Sequence, residues 1–248
     1  MKPLVLALVL AAWPVSPAAA QKIAVTAGKT DLTNVVVAAP FPADGAKNAV
    51  ALPDGMHVPA QITRGSVLDK DPGKTYLVFV LPKLKAGESI EVTPTMLNYV
   101  VAPPQFAFIE KKGEPTELVY GGVNGKRKVL QFFNLPHDPK DHFYTFKPFH
   151  NVYDPAKGEL MLSNTSAKTA KDGQYPHHRG LFFGFNRISY GDKQAADIWH
   201  GTDGVFSQFD KTLATETGEV LGRQRVAISW HGKDGQVFAD EEREVTAY

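Results

Sequence analysis

The stretch Gly173-Gln-Tyr-Pro-His-His-Arg-Gly-Leu-Phe-Phe-Gly-Phe185 sets two histidines and an arginine at the mouth of an aromatic run. Two more histidines have similar settings: His150 in Lys147-Pro-Phe-His-Asn151 and His200 in Asp197-Ile-Trp-His-Gly201. Imidazole titrates near neutrality and serves as general acid or base. An arginine fork holds a carboxylate or a developing oxyanion. The candidate catalytic set is therefore His150, His177, His178, Arg179 and His200. Tyr144, Tyr175 and Trp199 offer aromatic faces for a sugar ring, and Asp197 completes the substrate-binding candidates. Imidazole with carboxylate also suits a divalent metal, which makes His178, His200 and Asp197 the metal candidates. The spacing is unlike a helical His-Glu-x-x-His motif, so a metal site would rest on convergence in space. The plain alternative is that these imidazoles bond main-chain carbonyls, pack on rings and do no chemistry.

Strand geometry restricts the set. If residues 177–183 are extended, His177 shares a face with Arg179 and His178 points away, so at most one of the two enters a pocket unless Pro176 bends the chain. By the same alternation Asp197 and Trp199 share one face, Ile198 and His200 the other. Phe182, Phe183 and Phe185 read as core. Gly180, Gly184 and Gly201 leave room for a close backbone or ligand.

The elements that position these residues read as strands. Lys22–Thr26, Asn34–Val37, Ala49–Leu52, Val58–Thr63, Thr75–Leu81 and Ser89–Thr93 are short and rich in β-branched or aliphatic residues, with Gly, Pro and Asp between them. They predict a small β-sandwich over residues 21–96, with a boundary at the prolines of 95–104. Strands resume at Gln105–Glu110, Glu117–Tyr120, Lys128–Asn134 and Phe143–Phe149, and Arg225–Trp230 with Gln236–Ala239 form a hairpin. Residues 97–248 are thus expected to build a larger β-sandwich. Glu241, Glu242 and Arg243 read as a solvated face. Arg243–Tyr248 has the character of an unpaired strand, which predicts a domain continuing beyond this chain.

Residues 1–20 have the order of a secretory signal: Lys2, an apolar run from Leu4 to Trp13, and Ala18-Ala19-Ala20 as a cleavage site. The run is shorter than the roughly 20 residues a membrane-spanning helix needs. Export to the periplasm or beyond is expected, with no membrane insertion after removal of the signal. The chain has no cysteine, which excludes disulfides and a lipidated cysteine. Its 27 basic and 26 acidic residues become 26 and 26 without Lys2. Such a balance gives no field to steer it to nucleic acid.

Three blocks, Phe146–Gly158, Tyr175–Gly184 and Asp197–His200, together resemble the secreted bacterial proteins catalogued as "PmoA family" or "methane oxygenase PmoA", a domain of unknown function. The shared pattern is a proline-aromatic-His step, a His-His-Arg-Gly block and an Asp-x-Trp block. Gln174-Tyr175 stands where the second block ordinarily opens with a histidine. The resemblance spans roughly residues 22–248 and implies that the family's C-terminal portion is missing. The true methane monooxygenase subunit is a many-helix membrane protein, so the label carries no activity over. Members occur with polysaccharide-degrading machinery, which implies a carbohydrate setting. Their fold is similar, by analogy, to the large sandwiches of aldose mutarotases and polysaccharide lyases.

The leading expectation is an exported all-β protein that hydrolyses, eliminates or epimerises carbohydrate in a His/Arg/Asp cleft. The alternatives are a non-catalytic carbohydrate-binding module and a metal-dependent oxidase needing at least three converging ligands.

Overall fold

The computed structural model describes residues 21–71, 73–98, 105–121, 127–157 and 177–248. The fold is all-β, built as sandwiches of antiparallel sheets. The signal-like segment, part of the 95–104 boundary and Tyr175 lie outside the described residues.

Six strands come first: β1 (Ile23–Thr26), β2 (Leu32–Pro40), β3 (Ala49–Ala51), β4 (His57–Arg64), β5 (Thr75–Leu84) and β6 (Ser89–Thr95). They form one sheet in the order β1-β6-β3-β4-β5-β2. Its middle strands supply Val50, Phe79 and Val92 to a core that Ile23 and Val25 of β1 and Val35 and Val37 of β2 also reach. A sheet whose two edges meet the same core has curled over it, which gives this short-stranded unit an interior of its own.

A second sandwich follows. The meander β7 (Phe106–Ile109), β8 (Thr116–Tyr120), β9 (Arg127–Phe133) and β10 (Phe149–Val152) makes one sheet. A two-stranded ribbon, β11 (Ile188–Tyr190) and β12 (Gln194–Ala196), precedes the three-stranded sheet of β13 (Phe206–Thr217), β14 (Gly222–His231) and β15 (Val237–Ala247). Phe106, Leu118 and Leu130 of the meander pack on Val245 and Ala247, and Phe132 on Val226 and Ile228. Val220 and Leu221, in the β13–β14 turn, pack on Val78 of β5. The Gln61 side-chain carbonyl accepts both of their N–H groups, which docks the first unit onto the second.

Four expectations are corrected here. Phe143–Phe149 is not a strand: α1 (His142–Thr145) occupies its first half, after a 3₁₀ turn with Pro139 in first position. Asp138 accepts the Lys140 N–H and Thr145 Oγ1 donates to the Asp138 and Asp141 carbonyls, so this polar loop closes locally. Residues 177–183 are not a strand but a turn with one isolated bridge, Leu181 to His150. Phe183 and Phe185 are exposed rather than core, at 54% and 53%. Glu241 and Arg243 are partly buried rather than solvated, because pairing on β14 sets Glu241 beside Ile228 and Arg243 beside Val226, on the inner face.

Candidate functional site

Two turns and the start of β10 make the site. Leu181 exchanges both main-chain hydrogen bonds with His150, at 2.7 and 2.9 Å, which ties the His177–Arg179 turn to β10. Gly180 takes φ +42, and a Cβ there would collide with the His150 carbonyl oxygen. The second turn forms because Asp197 accepts two bonds from one residue: the His200 main-chain N–H and the His200 Nδ1–H, each at 2.8 Å. The Gly201 N–H donates to the Asp197 carbonyl at 2.9 Å. Gly201 sits at φ +66 with its α-carbon against the Phe146 ring, where no side chain fits.

Lys147 joins the two turns. Its buried Nζ donates to the His177 carbonyl and the Trp199 carbonyl, both at 2.8 Å, and lies 3.3 Å from the Phe182 ring centre. The ammonium therefore fixes the distance between the chain segments that carry His177 and His200. Its withdrawal from water, with repulsion from Arg179 and Arg243 opposed by Asp197, pushes its pKa down to about 6.

Both adjacent histidines join the cluster, contrary to strict alternation, because a turn and not a strand carries them. The His177 ring centre lies 4.3 Å from that of His178 and 4.7 Å from that of His200. His178 stands edge-on to Trp199 at 5.3 Å. Desolvation, then the neighbouring His178, His200 and Lys147, hold the His177 pKa below its ordinary value, against a pull upward from Asp197. Asp197 and His200, expected on opposite faces, are hydrogen-bonded partners. With Nδ1–H committed to Asp197, the neutral His200 ring leaves Nε2 as its proton acceptor, on a side chain 39% exposed.

His150 and Arg179 lie elsewhere. The His150 ring points into the sandwich, stacked on Phe132 at 4.2 Å. Burial, then the Arg243 charge, pushes its pKa down to about 3. Arg179 is buried close enough to Lys147 to repel its charge, donates from Nη2 to the Phe143 carbonyl at 2.7 Å, and packs against the Phe143 and Tyr144 rings. Tyr144 thus supports Arg179. Among the described residues no group of three or more His, Asp or Glu is placed to hold a metal ion.

A hollow of about 350 Å³ borders the cluster, with Asp197 in its wall beside Asn186, Arg187, Thr202, Asp203 and Lys233. That volume falls within the ~300–1,000 Å³ of small-molecule sites. A larger hollow, about 650 Å³, is a separate charged seam between the two sandwiches. We favour the smaller as the site because it adjoins the imidazole group, whereas the larger is lined by arginines and carboxylates already paired with one another.

Sequence reasoning passed over Lys147, although it stands in the same five-residue block as His150. It also passed over a second histidine group. His137 and His142 hydrogen-bond through Nε2 and Nδ1 at 2.9 Å, and His142 Nε2–H donates to the Gly201 carbonyl at 2.6 Å. Phe206 is sandwiched between the His137 and His231 rings at 3.8 and 4.3 Å. The Pro-Asp-His-rich loop 135–142 was the only signal for it.

No curated protein and no solved structure matches the chain. A family model described as "Family of unknown function (DUF6807)" matches residues 123–248. The matched region carries His177, His178, Asp197, Trp199 and His200 together with Lys147 beneath them, and the description bears neither an activity nor the PmoA label. The chain belongs to the DUF6807 family.

Proposed function

We propose that this protein is exported and acts on carbohydrate, with His200 as the proton-transfer group of a site formed by His177, His178, Asp197 and Trp199. The observation that carries this reading is the Asp197–His200 pair. A carboxylate that fixes the Nδ1 tautomer leaves Nε2 to take a proton from a substrate and give it back. His177 lies against that nitrogen's ring, His178 stands edge-on to His177, and Trp199 offers a face for a sugar. Asp197 is a carboxylate hydrogen-bonded within the cluster, and it serves His200. Glycoside hydrolysis ordinarily uses two carboxylates. An imidazole held by a carboxylate suits instead proton abstraction from a sugar carbon, as in elimination or epimerisation. The resemblance to the PmoA-labelled proteins supports the carbohydrate setting, and the signal-like order of residues 1–20 supports a periplasmic or secreted location.

The test incubates the protein with an oligosaccharide panel and follows new products by mass spectrometry and by ultraviolet absorbance of unsaturated ends. Wild type should give product and His200→Ala none, at equal melting temperature. Equal turnover by both would overturn the assignment of His200.

A binding module is the second reading, favoured by the exposed Phe183 and Phe185, whose rings meet edge-on at 5.2 Å. It predicts binding without turnover, unaffected by His200→Ala.

A further inference from the structure

The charges near the imidazole cluster do not balance at contact distance. Lys147 and Arg179 are 4% and 3% exposed. No carboxylate lies within ion-pairing distance of either, among ten ion pairs in the described residues. Their contacts are main-chain carbonyls and aromatic faces: His177, Trp199 and Phe182 for Lys147, Phe143, Tyr144 and Phe149 for Arg179. Arg179 Nε has no hydrogen-bond partner. A third cation, Arg243, is partly buried nearby and is matched by Glu241 at 2.6 Å. Asp197 acts on Lys147 only at longer range, its oxygens being committed to His200.

Burying a cation costs several kcal/mol unless an opposite charge answers it. Carbonyl dipoles and ring faces answer only part of that. What remains is a place for an anion: Arg179 keeps its charge, and Lys147, its pKa held near 6 by burial, regains its own when a negative group settles on the nearby surface where His177, His178 and His200 stand. Those rings carry N–H groups and add positive charge on protonation. The adjoining hollow adds Arg187 and Lys233 to its lining, the latter 3.9 Å from the exposed Asp203. The low pKa of Lys147 fits the same picture, since an anion at the rim would draw a proton back onto it.

We propose that the site takes an anionic saccharide, one bearing a carboxylate or a sulfate ester, and seats the anionic group on the His177–His178 side of the cluster beside Lys147, which leaves His200 Nε2 to act as the base. This rests on the carbohydrate reading and narrows its substrate class. It also suits the chemistry: a carboxylate held against cations acidifies the neighbouring ring C–H that His200 Nε2 would abstract.

The experiment compares acid oligosaccharides with neutral counterparts of the same skeleton by calorimetry on the intact protein. Oligogalacturonate is set against its methyl ester, and a sulfated galactan oligosaccharide against its desulfated form. One acid form should bind at least about tenfold tighter than its neutral twin, and the gap should shrink steeply as salt is raised from about 20 to 500 mM. Which acid wins separates carboxylate from sulfate. Lys147→Met should erase most of the preference, Lys147→Arg should restore part of it, and Lys211→Ala, an exposed charge on β13, should leave it intact. If Lys147→Met does not fold, the wild-type salt series and a His177→Gln/His178→Gln variant carry the same test. Equal binding of acid and neutral twins would overturn the charge inference and leave the carbohydrate reading standing. Binding of neither removes both.

Discussion

The second sandwich buries positive charge in two places and treats it in two ways. On the outer face of β14, Arg223 meets Glu216 at 3.2 Å and Glu244 at 3.6 Å, and Arg225 meets Glu244 at 2.7 Å. Glu244 also accepts the Val67 N–H, and Arg223 donates to the Arg64 carbonyl, so the network ties the first sandwich to the second. At the other end, near the histidines, Lys147 and Arg179 have carbonyls and rings and, among the described residues, no carboxylate in contact. A closed ion network is self-sufficient and structural. A cation held only by dipoles leaves a place for an anion, and a ligand can supply it.

The largest difference should appear with pH. His150 is buried neutral, its pKa pushed from 6.5 to about 3. Below pH 6.5 the unfolded chain binds a proton that the folded chain refuses until about pH 3. This contribution is whole above pH 6.5 and is lost as pH falls through that window. A shift of this size is worth roughly 5 kcal/mol at most. Urea midpoints measured from neutral pH down to pH 4 should fall, and His150→Phe should flatten the fall. Lys147 acts in the same sense higher up: an unfolded lysine keeps its proton to 10.5, the folded one releases it near 6, so stability rises with pH across that range.

Breaking the closed network comes next. Glu244→Ala takes one of two carboxylates from each of Arg223 and Arg225, which keep Glu216 and Glu242, and should cost about 1.5–3 kcal/mol by chemical denaturation. Lys147→Met strands no charge. It forfeits two hydrogen bonds to carbonyls, about 1 kcal/mol each, and is offset by relief of desolvation, so its net change should stay within about 1 kcal/mol. If the two substitutions destabilise equally, the contrast between the regions fails.

Much of the fold could be read beforehand because it depends on local alternation. Val35, Val37, Leu77, Phe79 and Leu81 betray their strands by type alone. β13 went unread because Asp210, Lys211, Thr212 and Thr215 keep most of it in water, and only pairing with β14 makes it a strand. Glu241 and Arg243 looked solvated because residue type says nothing about which face a partner strand turns inward. The imidazole cluster was legible as a list of residues but not as a geometry. His177 and His178 share the site through a turn, and His200 meets Asp197 through a turn, whereas His150 points into the core. Lys147 was invisible because a lysine between Phe146 and Pro148 gives no sign of being buried.

The smallest stability effect should fall at the site itself. Asp197→Asn should move the melting temperature little, the pair being partly exposed, where such contacts contribute about 0–1 kcal/mol. Its turnover should still collapse, since an amide no longer holds the imidazole in its working tautomer. Loss of turnover only in proportion to lost stability would make the pair structural.

The most direct measurement follows the imidazole resonances of isotope-labelled protein during titration with an anionic oligosaccharide. The signals of His177, His178 and His200 should shift together and saturate, while those of His150 and His231 stay in place. Saturable shifts confined to His150 or His231, with the other three unmoved, would contradict the site.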